Sequence, residues 1–114
     1  MTTSENRPWG SFTVLEDTDL YKLKRLEVKP GHRLSLQSHE KRKEHWTVVK
    51  GVATVQLDDK VFTKKAGENI IIEKGQKHRL SNEGKEPVWV IEVQTGEYFG
   101  EDDIKRYEDD YKRE

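Results

Sequence analysis

No cysteine occurs in the chain, which excludes disulfide staples and thiolate metal sites. Any metal held here must rest on nitrogen and oxygen ligands. No apolar run approaches the ~20 residues needed to span a bilayer. The N-terminus, Met-Thr-Thr-Ser-Glu-Asn, lacks the apolar core of a secretory signal. These absences predict a soluble, cytoplasmic protein with no membrane partner. Charge of one sign is missing too: 21 Lys and Arg stand against 22 Asp and Glu, a formal net charge of −1. That balance argues against a nucleic-acid partner recruited by overall charge. No helix-period pattern of apolar residues appears before residue 100. A parallel α/β architecture is therefore excluded for want of crossover helices.

What the chain has is abundant charge and many short alternating runs. Charged residues make up 38% of it, against roughly 25% in a typical soluble domain. Mean hydropathy is −1.03, low enough to permit partial disorder. The strand-like runs argue otherwise. They fall at 11–15, 20–29, 33–39, 45–49, 52–57, 61–62, 69–72, 78–80 and 87–95. Between them lie turn signals such as Pro30-Gly31, Lys50-Gly51, Asp58-Asp59-Lys60 and Ala66-Gly67. Many short strands at this spacing predict an all-β sandwich or barrel. With 114 residues, one domain can bury a core. Its boundaries are set at 7–114, after a frayed N-terminus at 1–6. From about residue 101 a short helix or an extended tail is expected. Tyr21 and Leu23 alternate with Lys22 and Lys24, and then the apolar phase shifts to Leu26 and Val28. This predicts a bulge near Lys24-Arg25.

The densest chemistry lies in residues 31–51. Gln37 and His39 are two apart, so on a strand both side chains share a face. Glu40-Lys41-Arg42-Lys43 reads as an exposed turn, and Glu44 then precedes the apolar run Trp46-Thr47-Val48-Val49. The pattern is strand, turn, strand, with Gln37, His39 and Glu44 facing one space. His78 is the candidate for a fourth ligand. Two imidazoles, a carboxylate and an amide oxygen suit one divalent Zn, Mn, Fe, Co or Ni ion. Taken singly, His39 and His78 are more often structural histidines; the four-residue pattern is what favours metal. His45 faces away from Glu44, and His32 reads as a surface residue.

These residues resemble the two motifs of the cupin superfamily. The first runs Gly31, Gln37, His39, Glu44, Gly51, with Gln where a first His is usual. The second runs Gly67, Glu73, Gly75, His78, Asn82, with Glu73 in place of the usual Pro. The resemblance implies a single-domain cupin, a double-stranded β-helix or jelly roll, with the metal inside the barrel. A narrower series covers nearly the whole chain: Arg7-Pro8-Trp9-Gly10, Tyr21 to Arg25, Leu34 to Gln37, Glu44-His45-Trp46, His78-Arg79-Leu80, and Glu92 to Tyr98 with Gly100 to Ile104. It is similar to the C-terminal cupin domain of type II mannose-6-phosphate isomerase/mannose-1-phosphate guanylyltransferase. In that family Gln also replaces the first His.

The resemblance implies a metal-dependent isomerase interconverting mannose 6-phosphate and fructose 6-phosphate through an enediolate. Such chemistry needs a metal to stabilise charge on the C1 and C2 oxygens, and a base to move the proton. Glu92, Glu97 and a free imidazole all remain open as that base. The sugar phosphate needs cations, for which Arg33, Lys24, Arg25 and Arg79 are the candidates. Strand alternation sends Arg79 away from His78's face, whereas the family match favours contact with the phosphate or enediolate; a structural ion pair is the competing expectation. A homodimer is expected, because small β-domains expose pairing edges. The alternative function is a non-catalytic cupin that binds metal or sugar.

Overall fold

Residues 2–111 are described in the computed structural model. Alternating inward and outward side chains build eleven strands among them, and no helix. In chain order these are β1 (Thr3–Arg7), β2 (Gly10–Asp17), β3 (Tyr21–Val28), β4 (Leu36–Ser38), β5 (Arg42–Lys50) and β6 (Val52–Leu57). They continue with β7 (Lys60–Lys65), β8 (Asn69–Ile72), β9 (His78–Ser81), β10 (Val88–Gly96) and β11 (Lys105–Glu108). One sheet is ordered β1-β2-β3-β10-β5-β8 and the other β11-β4-β9-β6-β7. All pairings are antiparallel, and the two sheets form a double-stranded β-helix, the cupin jelly roll.

The inward faces of β3, β10 and β5 change character along the barrel axis. At one end Val28 pairs with Val88, and Leu26 with Val90, which also pairs with Val48. Further along, Lys24 pairs with Glu92, and Lys22 with Gln94, which also pairs with Glu44. Each of these side chains is buried. The apolar end joins Trp9, Phe12, Trp46, Val55, Ile70, Ile72 and Leu80 in one core. Each fully buried Val or Leu there contributes on the order of 1.5–3 kcal/mol. The charged end is the opposite half of the same barrel interior.

Three expectations are corrected here. The irregularity expected near Lys24-Arg25 falls on the facing strand: β3 runs unbroken, with Lys22, Lys24, Leu26 and Val28 all on its buried face, while the register of β2 shifts between Val14 and Glu16, opposite Lys24 and Leu23. The phase shift was an effect of reading lysine as outward, whereas Lys24 lies buried against the Phe12 ring at 4.4 Å and Glu101 at 2.6 Å. The N-terminus expected to fray at 1–6 is instead a strand, with Thr3 to Arg7 paired to Val14 to Gly10. The C-terminal segment is neither helix nor free tail. It crosses the sheet edge as β11, pairing Lys105 with Ser38 and Arg106 with Gln37. The outermost parts of the expected boundaries, residue 1 and residues 112–114, lie outside the described residues.

Two local devices hold the loops. Gly96, at φ +142°, faces Arg42 across β10 and β5. A Cβ there would lie 2.4 Å from the Lys41 carbonyl oxygen, so only glycine lets the start of β5 come this close. Asn82, buried after β9, donates from Nδ2 to the Val28 and Glu86 carbonyls at 2.9 and 2.7 Å. Its Oδ1 accepts from the Gly84 amide at 3.0 Å. Replacing Asn82 by Ala leaves the buried Val28 carbonyl and the half-buried Glu86 carbonyl without that donor. We expect it to destabilise the fold by about 2–3 kcal/mol, read by chemical denaturation.

Candidate functional site

At the charged end three side chains converge: His39 from the loop after β4, Glu44 from β5 and His78 from the start of β9. One ligand atom from each lies within 4.8 Å of the others, and all three residues are buried. Glu44 Oε2 is 3.3 Å from His39 Nε2, and Glu44 Oε1 is 3.7 Å from His78 Nε2. The other nitrogen of each imidazole is occupied by backbone. His39 Nδ1 donates to the Asp103 carbonyl at 2.6 Å, and His78 Nδ1 to the Gln76 carbonyl at 3.0 Å. Both rings are therefore held in the tautomer whose Nε2 lone pair points at Glu44, the form a metal ligand needs. This donor set, two imidazole nitrogens and a carboxylate, fits a divalent transition metal. Gln37 is the register partner of His78 and lines the same cavity. Its Nε2 donates to Ser35 Oγ at 3.0 Å and to the Ser35 carbonyl at 3.3 Å, which leaves Oε1 as the end available to a cation.

The electrostatics suit such a group. Burial holds the His39 imidazole well below its ordinary value, at about 4, against the opposing pull of Glu44. Burial alone would raise the Glu44 carboxyl; the charges of His78, Arg42 and His39 outweigh it and hold it low, at about 2. An unprotonated imidazole at His39 and an ionised carboxylate at Glu44 are thus present at neutral pH. Glu92 behaves in the opposite way. Its carboxyl, buried on β10, is pushed up to about 7 by burial first and by Glu44 second, with Lys24 and Arg42 opposing. Gln94 Nε2 donates to Glu92 Oε2 and orients it. The cavity is small, about 70 Å³, and opens to solvent. Glu44, Glu92, Gln37, His78, Lys24 and Arg42 are among its walls.

The structure brings together only part of the predicted set. Gln37, His39, Glu44, His78, Glu92 and Lys24 meet at the charged end, though the Lys24 ammonium is taken by Glu101 at 2.6 Å. Glu97 does not join them: it is exposed and pairs with Lys74 at 3.2 Å. Arg33 lies outside the cavity in a two-point pair with Asp110, at 2.7 and 2.9 Å. Arg25 is on the outer face of β3, paired with Glu27 at 2.9 Å and set over the Trp89 ring. Arg79 is the firmest correction. Its Nε donates to the Leu34 carbonyl at 3.0 Å, and its two terminal nitrogens bind Glu108 Oε1 at 3.1 Å and the Glu108 carbonyl at 3.0 Å. Alternation carries it out of the opposite face from His78, and it clamps β11 onto the sheet.

Arg42 is the residue that the sequence reading missed. Placed in an exposed turn, it in fact opens β5 and is 5% exposed. Its Nε donates to Glu44 Oε2 at 2.8 Å and a terminal nitrogen lies 3.2 Å from His39 Nε2. The available signal was strand phase, since Arg42, Glu44, Trp46 and Val48 alternate on one face. Arg106 and Glu101, also at the cavity wall, had been assigned to the tail. Nothing local in their sequence marks them.

Comparison with known proteins agrees with this architecture. The family model described as "Mannose-6-phosphate isomerase C-terminal" matches residues 1–109. The chain belongs to this family. Among its relatives is the alginate biosynthesis protein AlgA of Pseudomonas aeruginosa, 50% identical over 107 residues. That match covers 94% of this chain and 22% of AlgA. A mannose-1-phosphate guanylyltransferase of Sinorhizobium fredii is 44% identical over 108 residues, covering 95% of this chain and 21% of the relative. Among solved structures, a Klebsiella pneumoniae protein with a double-stranded β-helix domain superposes with a TM-score of 0.75 at 26% identity. It covers 84% of this chain and 82% of that one.

The domain is thus of mannose-6-phosphate isomerase C-terminal type. The expectation that this chain is itself the enzyme interconverting mannose 6-phosphate and fructose 6-phosphate is corrected by the same relatives. They are named for alginate biosynthesis or guanylyl transfer, and the chain spans only about a fifth of their length. Membership of the family assigns the domain type; it does not assign that reaction to this chain.

Two outcomes follow from the geometry. Arg79→Ala is expected to lower stability by about 2 kcal/mol while leaving divalent-metal content unchanged, measured by denaturation and elemental analysis. For metal binding, the depressed His39 value sets the pH window. Its Nε2 stays unprotonated well below its ordinary value of 6.5, so protonation of His39 is expected to weaken affinity only as pH falls from about 6 through about 4. Titration calorimetry with Zn²⁺ or Mn²⁺ across that range checks it.

Proposed function

We propose that this domain is a divalent-metal-dependent site of aldose–ketose isomerase class, with His39, Glu44, His78 and Gln37 holding the ion and Glu92 moving the proton. The observation that carries this reading is the pairing of two buried carboxylates with opposite protonation behaviour in one cavity. Glu44 is held ionised, while Glu92 sits near the midpoint of its titration at neutral pH. Sites that run acid and base chemistry together show this separation.

A cation held by those four residues would supply electrophilic stabilisation of negative charge developing on adjacent substrate oxygens. Ionised Glu92 takes the proton from the carbon next to the carbonyl and, as the acid, returns it to the neighbouring carbon. Gln94 fixes the carboxylate's orientation from the adjacent inward position of β10. A second proton passes from one substrate oxygen to the other, so that the isomerisation gains and loses none overall.

The test is solvent-deuterium exchange at that carbon, followed by NMR in a panel of aldoses, ketoses and their phosphates, with Mn²⁺ or Zn²⁺ added. Exchange is expected to rise with pH through about 7, as Glu92 ionises. Glu92→Gln is expected to slow it by about 10²–10⁴-fold with metal content unchanged. Bound metal without exchange in any compound would overturn the catalytic assignment.

A further inference from the structure

The cavity is lined by four cations: Arg7, Lys24, Arg42 and Arg106. Two of them have carboxylate partners outside the metal-binding group, Arg7 with Glu5 at 2.8 Å and Lys24 with Glu101 at 2.6 Å. Arg42 spends two of its three nitrogens on Glu44 and His39, but its Nη1 is buried with no hydrogen-bond partner. Arg106 spends less. Its Nε is likewise buried without a partner, and no salt bridge among the described residues includes it. β11 places Arg106 directly opposite Gln37, so the two side chains stand on the same face of the sheet, toward the metal-binding group. Buried guanidinium N–H groups left unmade cost stability, so a pair of them facing one cavity marks a place where an acceptor belongs.

Each carboxylate of the cavity already has at least one donor. Glu44 meets Arg42 and Trp46, Glu92 meets Gln94, and Glu101 meets Lys24. We propose that Arg106, with Arg42 Nη1, is the receptor for an oxyanion of the ligand, a phosphate or a carboxylate, seated beside the metal-binding group. The planar donor edges of guanidinium suit such a group, and in a buried site these charge-assisted bonds are strong. This takes over the role expected of Arg33, Arg25 and Arg79, whose guanidiniums are used elsewhere in the fold. It rests on the reading of this cavity as the ligand site, but not on the presence of metal.

Titration calorimetry of the full chain with inorganic phosphate and, separately, with acetate tests the proposal, in chelator-treated protein and again with Mn²⁺. Wild type is expected to bind at least one of the two anions, and whichever binds more tightly names the group. Arg106→Gln is expected to weaken that binding at least about tenfold, at unchanged thermal unfolding and unchanged metal content. Arg106→Lys, which keeps the charge but loses the planar fork, is expected to fall between. Arg33→Gln, outside the cavity, is expected to match wild type. Wild-type affinity in both Arg106 variants, or no binding of either anion by wild type, would overturn the proposal. Failure of the metal assignment gives a different signature: no bound metal, with anion binding and its dependence on Arg106 intact.

Discussion

Everything at the charged end depends on one carboxylate taken out of water. Glu44 is 1% exposed, and a lone ionised carboxylate in that position would cost several kcal/mol. Its oxygens are met by Arg42 Nε at 2.8 Å and Trp46 Nε1 at 3.0 Å, with the Nε2 atoms of His39 and His78 at 3.3 and 3.7 Å. Two of these partners, His39 and His78, come from outside β5. The carboxylate therefore ties together β5, the loop after β4 and the start of β9. Its charge also raises the Glu92 carboxyl, so the acid–base character of the cavity follows from the same burial.

The barrel tolerates that charge because its interior is divided along the axis. Val28, Leu26, Val48, Val88 and Val90 fill one half on the same three strands that carry Lys24, Glu92, Gln94 and Glu44 in the other. The apolar half supplies the stability from which the charged half draws. A rigid sheet beneath then fixes the positions of groups that would otherwise relax away from each other.

The C-terminal segment completes the cavity. The Asp103 carbonyl fixes the His39 tautomer, and the Asp103 carboxylate accepts from the Glu40 and Lys41 amides at 3.1 and 3.0 Å. Glu101 neutralises the buried Lys24 ammonium, and Arg79 holds β11 in place through Glu108. A run of acidic and basic residues that reads as a solvated tail is in this fold the wall and cover of the site. Composition does not separate the two cases, because the burial of each charge is decided by a partner more than 60 residues away in sequence for Glu101 and Asp103.

Sequence alone determined the all-β class and most of the strands between residues 11 and 95, though not β1 or the start of β5. Alternation has period two and needs no tertiary information, and turns at Pro30-Gly31, Lys50-Gly51 and Asp58-Asp59 are local chemistry. It also singled out Gln37, His39, Glu44 and His78 as one group, Gln37 and His39 by spacing and His78 with the motif pattern, and the fold brings His39, Glu44 and His78 within reach of one ion. Only the tertiary structure decided which charged residues go inside. Lys24, Arg42 and Arg106 read as solvated by type, yet Glu101, Glu44 and the register with Gln37 bring them in. Arg79 and Arg33 read as substrate ligands by type, yet Glu108 and Asp110 claim them. Arg42 apart, whose partner Glu44 lies on its own strand, the physical reason is common: a charged side chain is buried, or diverted, by the group it meets across the barrel. That meeting is a property of the pairing of distant strands, not of the residues on either side of it.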